Sequence, residues 1–144
     1  MVRCGGLLLL AVGTVELRNS APLRVGVAAG GDLTNKYPWS EKWDLDRANT
    51  DESGLGRTTA VGLYPQGASL VKAFDMSGNV LEWCLNEYEN SLMVDATGYS
   101  RRALRGGSRY DFWLVVRCAF RGVNDPDFRD DTIGFRLYCL SPAF

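Results

Sequence analysis

No histidine occurs anywhere in the 144 residues. That removes the side chain whose pKa lies nearest neutrality, and with it His-ligated metal sites and every Ser-His or Cys-His triad. No Gly-x-x-x-x-Gly-Lys run is present, so a phosphate cradle of the Walker type is excluded. The four cysteines, Cys4, Cys84, Cys118 and Cys139, contain no Cys-x-x-Cys pair. Zinc-finger spacing is therefore absent, and a disulfide framework has little support in so long a chain. Cys118 and Cys139 could meet on neighbouring strands, but the simpler reading is small buried thiols in a reducing compartment. No apolar run reaches the length of a membrane span.

What is present is a chain with 46% hydrophobic and 23% charged residues and a formal charge of −1. That composition fits one folded domain with a core and argues against disorder. Residues 1–31 carry three Arg and one Glu, residues 32–100 five basic and eleven acidic groups, and residues 101–144 eight Arg and five Asp. The basic excess at the end is interrupted by Asp125, Asp127, Asp130 and Asp131, which would repel phosphates, so nucleic acid is not an expected partner. Arg–Asp pairing around irregular loops is the expected use of these charges. The opening Met1-Val2-Arg3, followed by the apolar stretch from Gly5 to Val15, has the outline of a secretion signal. Its cleavage signal is poor, because Asn19-Ser20 precede Ala21 and Pro22 follows it. Residues 1–28 are read as an atypical leader or truncated start, with a domain over 29–144. The expected location is cytoplasmic, with secretion or surface display as the alternative and no membrane insertion.

From Gly30 to Gly78 the text is dense in Gly, Pro, Asn, Asp, Ser and Thr, broken by Trp39, Trp43 and Tyr64. Neither a two-residue nor a 3.6-residue period survives there, so long loops ordered by aromatic anchors are predicted. Short strands are predicted over Val80–Cys84, Ala103–Gly106 and Gly134–Cys139, with a further strand or partial helix in Leu114–Arg121. The fold class is α+β, weighted to β and loops.

Seven segments then follow in order: Tyr37-Pro38-Trp39, Arg47-Ala48-Asn49-Thr50, Gly56 to Gly62, Tyr64-Pro65-Gln66-Gly67, Asp75 to Trp83, Leu104 to Ser108 and Ile133 to Arg136. Together they resemble the formylglycine-generating enzyme (sulfatase-modifying factor) family, a branch of the C-type lectin fold. The resemblance implies short antiparallel strands with long ordered loops. Gly78 and Gly106-Gly107 would supply backbone shapes or close approaches that a Cβ forbids. Trp83 would be core, and Glu82 would accept from buried backbone N–H groups or an Arg rather than move protons. Some members of the family hold structural calcium, for which Asn49, Asp75 and Asn79 are the loosely matching positions; calcium wants six to eight oxygens. Leu81 stands where the family has Trp, and Leu70 to Phe74 replace a small, Gly-containing approach to Asp75-Met76. These departures keep an inactive relic among the readings.

Enzymes of that family oxidise a substrate cysteine to formylglycine with two cysteines placed between the Gly-Gly-Ser turn and an Arg-Cys-Ala run. Thiolates suit that chemistry because they bind Cu(I). Here the interval is Arg109 to Val116, with no cysteine, and Cys118 belongs to the run that follows. No catalytic residue is therefore expected. The segment instead resembles the variable proteins of diversity-generating retroelements, in which asparagine-type codons of a C-terminal region are rewritten. Tyr110, Asp111, Val115, Gly122, Val123, Asp131 and Thr132, and also Phe112, Leu114, Phe120 and Phe128, lie one or two base changes from an Asn codon; Arg109 and Trp113 do not fit neatly. The expected function is non-catalytic binding through a face formed by Tyr110, Phe112, Trp113, Leu114, Phe120, Val123, Phe128, Asp131 and Thr132, with Arg109 at its edge. Rigid aromatics suit such a face. Val116, and with it Val115, is expected inward. The implied partner is a protein or cell-surface ligand. The competing reading is a sulfatase-modifying enzyme.

Overall fold

The computed structural model describes residues 35–94 and 98–136. The leader over 1–28, the strand residues from Leu137 onward, Cys4 and Cys139 lie outside the described residues.

A mixed four-stranded sheet organises the described chain, in the order β3-β2-β1-β4. Its strands are β1 (Leu81–Glu87), β2 (Arg102–Arg105), β3 (Gly122–Asn124) and β4 (Ile133–Gly134). β1 pairs antiparallel with β2 through Glu82↔Arg105 and Trp83↔Leu104, with a register irregularity before Glu87↔Arg102. β2 pairs antiparallel with β3, whereas β1 and β4 run parallel through Leu81↔Ile133. β1 thus begins one residue later than predicted and runs three residues further. β2 is shifted back by one residue. The predicted strand or helix over Leu114–Arg121 is instead a run of turns, and β3 follows it. Among the described residues the only helical elements are three 3-10 turns, Leu45–Arg47, Asp51–Ser53 and Pro65–Gly67. No helix among them is long and apolar enough to cross a membrane.

The interior mixes apolar and polar groups. Tyr37, Ala48, Met76, Cys84, Ala103, Leu104 and Val116 are buried, and so are Asn49, Thr50, Ser77, Asn79, Glu82, Arg102, Ser108 and Arg109. Trp83, expected in the core, is half-buried. Buried polar groups are costly unless hydrogen-bonded, and Asn79 is a hub that satisfies several of them. Its backbone N–H donates to the Asn49 carbonyl at 2.7 Å, and its own carbonyl accepts from Arg109 N at 3.1 Å. Its Oδ1 accepts from Asn49 Nδ2 at 3.2 Å and from Thr59 N at 2.9 Å. Asn49 Nδ2 also donates to the Arg57 carbonyl. Three of the sequence segments quoted above therefore meet at Asn79, its own and those of Asn49 and Thr59.

The backbone at this hub explains its residue types. Asn79 sits at φ +67°, in the left-handed region that Asn tolerates better than most residues. Gly78 precedes it at φ +78°, and a Cβ there would collide with the Asn49 carbonyl oxygen. Glu82, facing inward from β1, is held by Arg136: Nε lies 3.0 and 2.9 Å from the two carboxylate oxygens, and Nη2 lies 2.6 Å from Oε1. Arg136 also donates to the Phe74 and Asp75 carbonyls. Burial pushes the Glu82 pKa above the usual carboxylate range, outweighing the pull of Arg136.

Candidate functional site

The Gly106-Gly107 turn leaves β2 and feeds the 108–116 segment back against the hub. Gly107, at φ +71°, lies so close to Val116 that a Cβ would come within 2.6 Å of its Cγ1. Asp111 closes the turn, its Oδ2 accepting from Ser108 N and Ser108 Oγ, each at 2.8 Å. The rest of the segment is pinned by its backbone. The Asp111 carbonyl accepts from Asp51 N at 3.1 Å, Trp113 N donates to Glu52 Oε1 at 2.9 Å, and the Trp113 carbonyl accepts from the Tyr37 hydroxyl at 3.1 Å. Ser77 Oγ donates to the Val116 carbonyl at 2.7 Å.

Those anchors consume the main chain and turn the side chains outward. Val116 is fully buried, whereas Tyr110, Phe112, Trp113 and Leu114 are 55, 48, 39 and 37% exposed. Val115 is intermediate. Lys36 Nζ sits 5.2 Å from the Trp113 ring centre, and the Tyr110 hydroxyl donates to the Gly56 carbonyl at 3.2 Å. The outcome is an apolar ridge on an irregular but tethered segment. A strand would have hidden alternate residues of this run.

Arg109 departs from its expected place at the edge of the face. Its guanidinium is buried, with Nη1 donating to the Asp131 carbonyl at 2.8 Å and Nη2 to Asp131 Oδ2 at 2.9 Å. It also stacks on Tyr110, 4.4 Å from the ring centre. Arg109 is a clamp that joins the ridge to the 130–132 loop. The reason is electrostatic: a buried guanidinium needs acceptors, and Asp131 supplies two. Asp131 itself stays largely exposed.

The remaining expected residues form a second feature. Phe120, Val123, Phe128 and Thr132 line an open groove of about 290 Å³ together with Leu81, Leu104, Val115 and Ile133. Asp111 and Asp130 supply its carboxylates. Arg105 fixes one wall by donating through Nη1 to the Cys118 and Phe120 carbonyls, at 3.1 and 2.8 Å. Asp130 caps the opposite loop, its Oδ1 accepting from Thr132 N at 2.8 Å and from the Thr132 hydroxyl. Those bonds hold its pKa below the usual carboxylate range. The expected binding residues thus divide into a ridge and a groove, with Arg109 beneath both. Neither Arg105 nor Asp130 was among the expected binding residues. Their roles depend on partners that only the fold brings near, although the high Arg and Asp content of the tail hinted at such pairing.

The calcium expectation at Asn49, Asp75 and Asn79 does not fit the donor set. Asn49 Oδ1 accepts from Ser53 Oγ, Asn79 Oδ1 accepts from three donors, and Asp75 Oδ2 accepts from Gly62 N at 2.7 Å. A cation needs these oxygens free to face it. Among the described residues no three acidic, Cys or His side chains gather closely enough to hold a metal. The described cysteines, Cys84 and Cys118, are thiols and not halves of a disulfide. Burial pushes the Cys84 thiol up to about 12 and the Cys118 thiol up to about 11. Both stay protonated near neutrality and are poor soft-metal ligands.

A family model described as sulfatase-modifying factor enzyme 1-like domain matches residues 13–139. The chain is 38% identical over 119 residues to serine/threonine-protein kinase Pkn1 of Chlamydia trachomatis serovar L2, covering 76% of this chain and 19% of that protein. It is 34% identical over 113 residues to hercynine oxygenase of Mycobacterium tuberculosis, covering 71% of this chain and 26% of the oxygenase. The chain therefore spans between about a fifth and a quarter of the length of these curated relatives. In three dimensions it is similar to Treponema denticola variable protein 1, with a TM-score of 0.67, 24% identity, and coverage of 78% of this chain and 43% of that one. PvdO from Pseudomonas aeruginosa is similar at a TM-score of 0.63 and 24% identity, covering 78% of this chain and 48% of its own.

Proposed function

This chain belongs to the sulfatase-modifying factor enzyme 1-like family, with its C-type-lectin-like fold, and from that premise we propose that it is a non-catalytic ligand-binding member. Its recognition face is the ridge and groove between residues 109 and 132, diversified in the manner of retroelement variable proteins. One observation carries the reading: Tyr110, Phe112, Trp113 and Leu114 stay exposed while the backbone of their segment is tethered to Asp51, Glu52 and the buried Tyr37. Pre-ordered aromatic anchors lower the entropy cost of binding and are typical of recognition hot spots. The partner is a protein or cell-surface ligand. The fold likeness to a variable protein supports the same reading.

The alternative is oxidation chemistry of the kind the family and the oxygenase relative suggest. Against it stand the cysteine-free interval from Arg109 to Val116, two described thiols held protonated by burial, and the lack of any imidazole in this chain. Non-haem iron oxygenation commonly uses a two-His-one-carboxylate set, and copper thiolate chemistry needs ionised cysteines. A cysteine-containing peptide incubated with the 144-residue chain, copper and oxygen is expected to yield no aldehyde. Stoichiometric turnover to the aldehyde would overturn the proposal.

A further inference from the structure

Resting on the reading that this face binds a ligand, the geometry points to a lysine or arginine side chain of a peptide or protein partner as the group that enters the groove. At about 290 Å³ the groove lies at the small end of sites that take whole small molecules, roughly 300–1,000 Å³, so it suits one long side chain better than a cofactor. Its apolar wall, with Val115, Phe120 and Phe128 prominent, matches a methylene stem, and aromatic faces attract cations.

The charge of the lining is one-sided. Asp111 and Asp130 are its charged members, and neither Lys nor Arg lines the groove. Each carboxylate is oriented through a single oxygen, Oδ2 of Asp111 toward Ser108 and Oδ1 of Asp130 toward Thr132. Among the described residues no hydrogen bond falls on the second oxygen of either. The neighbouring arginines spend their hydrogen bonds elsewhere: Arg109 on Asp131, Arg105 on the Cys118 and Phe120 carbonyls, Arg121 on the Tyr88 carbonyl, and Arg129 on the Pro126 and Phe128 carbonyls, so that only the through-space charge of Arg109 reaches Asp130. A phosphate or carboxylate ligand would face repulsion from both aspartates, whereas a guanidinium or ammonium meets two pre-oriented acceptors. Asp111 belongs to the set of rewritable codons, so cation preference is a property of this chain and not of the fold.

The test titrates the full chain with N-acetyl-arginine methylamide, its neutral citrulline analogue and the corresponding glutamate derivative, following backbone amide signals of Val123 and Thr132 by NMR. The arginine probe is expected to shift them saturably at millimolar concentration and to weaken as salt rises. The citrulline probe should bind at least about tenfold more weakly, the loss expected for one charge-assisted contact. Asp111→Asn and Asp130→Asn keep the Ser108 and Thr132 caps, so each variant should stay folded while lowering arginine affinity toward that of citrulline. Equal binding of the three probes, preference for glutamate, or no saturable shift with arginine overturns the cation assignment. The face reading fails separately, when a partner bound by the native chain is bound equally by Trp113→Ala.

Discussion

Replacing Asn79 by alanine perturbs the point where three sequence segments meet, and the loss can be worked from its bonds. Asn79 Oδ1 accepts from Asn49 Nδ2 and Thr59 N, and Nδ2 donates to the Thr59 carbonyl at 3.3 Å. Leaving a buried partner unsatisfied costs about 1–3 kcal/mol. Asn49 Nδ2 retains its bond to the Arg57 carbonyl, so the lower half of that range applies to it. Holding alanine at the φ of +67° adds about 1 kcal/mol. The sum is about 2–4 kcal/mol, a large share of the roughly 5–15 kcal/mol that stabilises a typical domain. For a chain of this size the melting temperature should fall by roughly 5–15 °C. Asn79→Gly removes the same bonds but accepts the backbone shape, so it should retain about 1 kcal/mol relative to alanine. Urea unfolding of the three proteins, monitored by tryptophan fluorescence, measures both differences. A loss below about 0.5 kcal/mol for alanine would refute the hub. So would a calcium-dependent rise in the native melting temperature that alanine abolishes, because ligand binding stabilises only the state that holds it.

Three further outcomes follow from the same structure. The pKa of Glu82 is raised in the folded state, so the folded chain binds the proton more tightly than the unfolded one. Its contribution is fully present below the usual carboxylate pKa of 4.5 and is lost as pH rises through the folded value. Stability profiles from pH 4 to 8 should therefore fall less steeply in Glu82→Gln than in the native chain, and parallel profiles would contradict this. Cys84 and Cys118, with thiols pushed to about 12 and 11, should resist iodoacetamide at neutral pH in the folded chain and react once urea unfolds it; rapid alkylation of native Cys84, read by mass spectrometry, is the contrary result. Trp113→Ala removes a half-exposed ring and should change stability by less than about 1 kcal/mol, while weakening partner binding by about 2 kcal/mol, or roughly 30-fold.

The parts of the fold legible in the sequence are those that need unusual residues. Gly78, Asn79 and Gly106-Gly107 hold positive φ angles, and Asn49 and Glu82 are buried polar groups with dedicated partners. Such positions admit few residue types, so their order along the chain is informative. β3 was illegible because Gly122, Val123 and Asn124 alternate nothing and are a strand only through β2. The turn run after Leu114 misled because Val115 and Val116 favour strands. What overrides that preference is the Gly107–Val116 contact and the Ser77 bond to the Val116 carbonyl, neither of which is local in sequence. Arg109 misled similarly. An arginine in a loop reads as solvated, and its acceptor lies 22 residues away. The division of the face into ridge and groove also needed the fold, because only the fold brings Val115, Phe120 and Phe128 to line one groove.

Deep sequencing of this gene across one clonal population of its host is the direct test of the proposal that residues 109–132 are a rewritten binding face on a fixed frame. Changes are expected to be confined to codons in that interval, among them those of Tyr110, Asp111, Phe112 and Phe128. Scaffold codons such as Arg117 and Gly134 should stay constant. A uniform sequence, or changes spread evenly into the Asn79 hub, would contradict it.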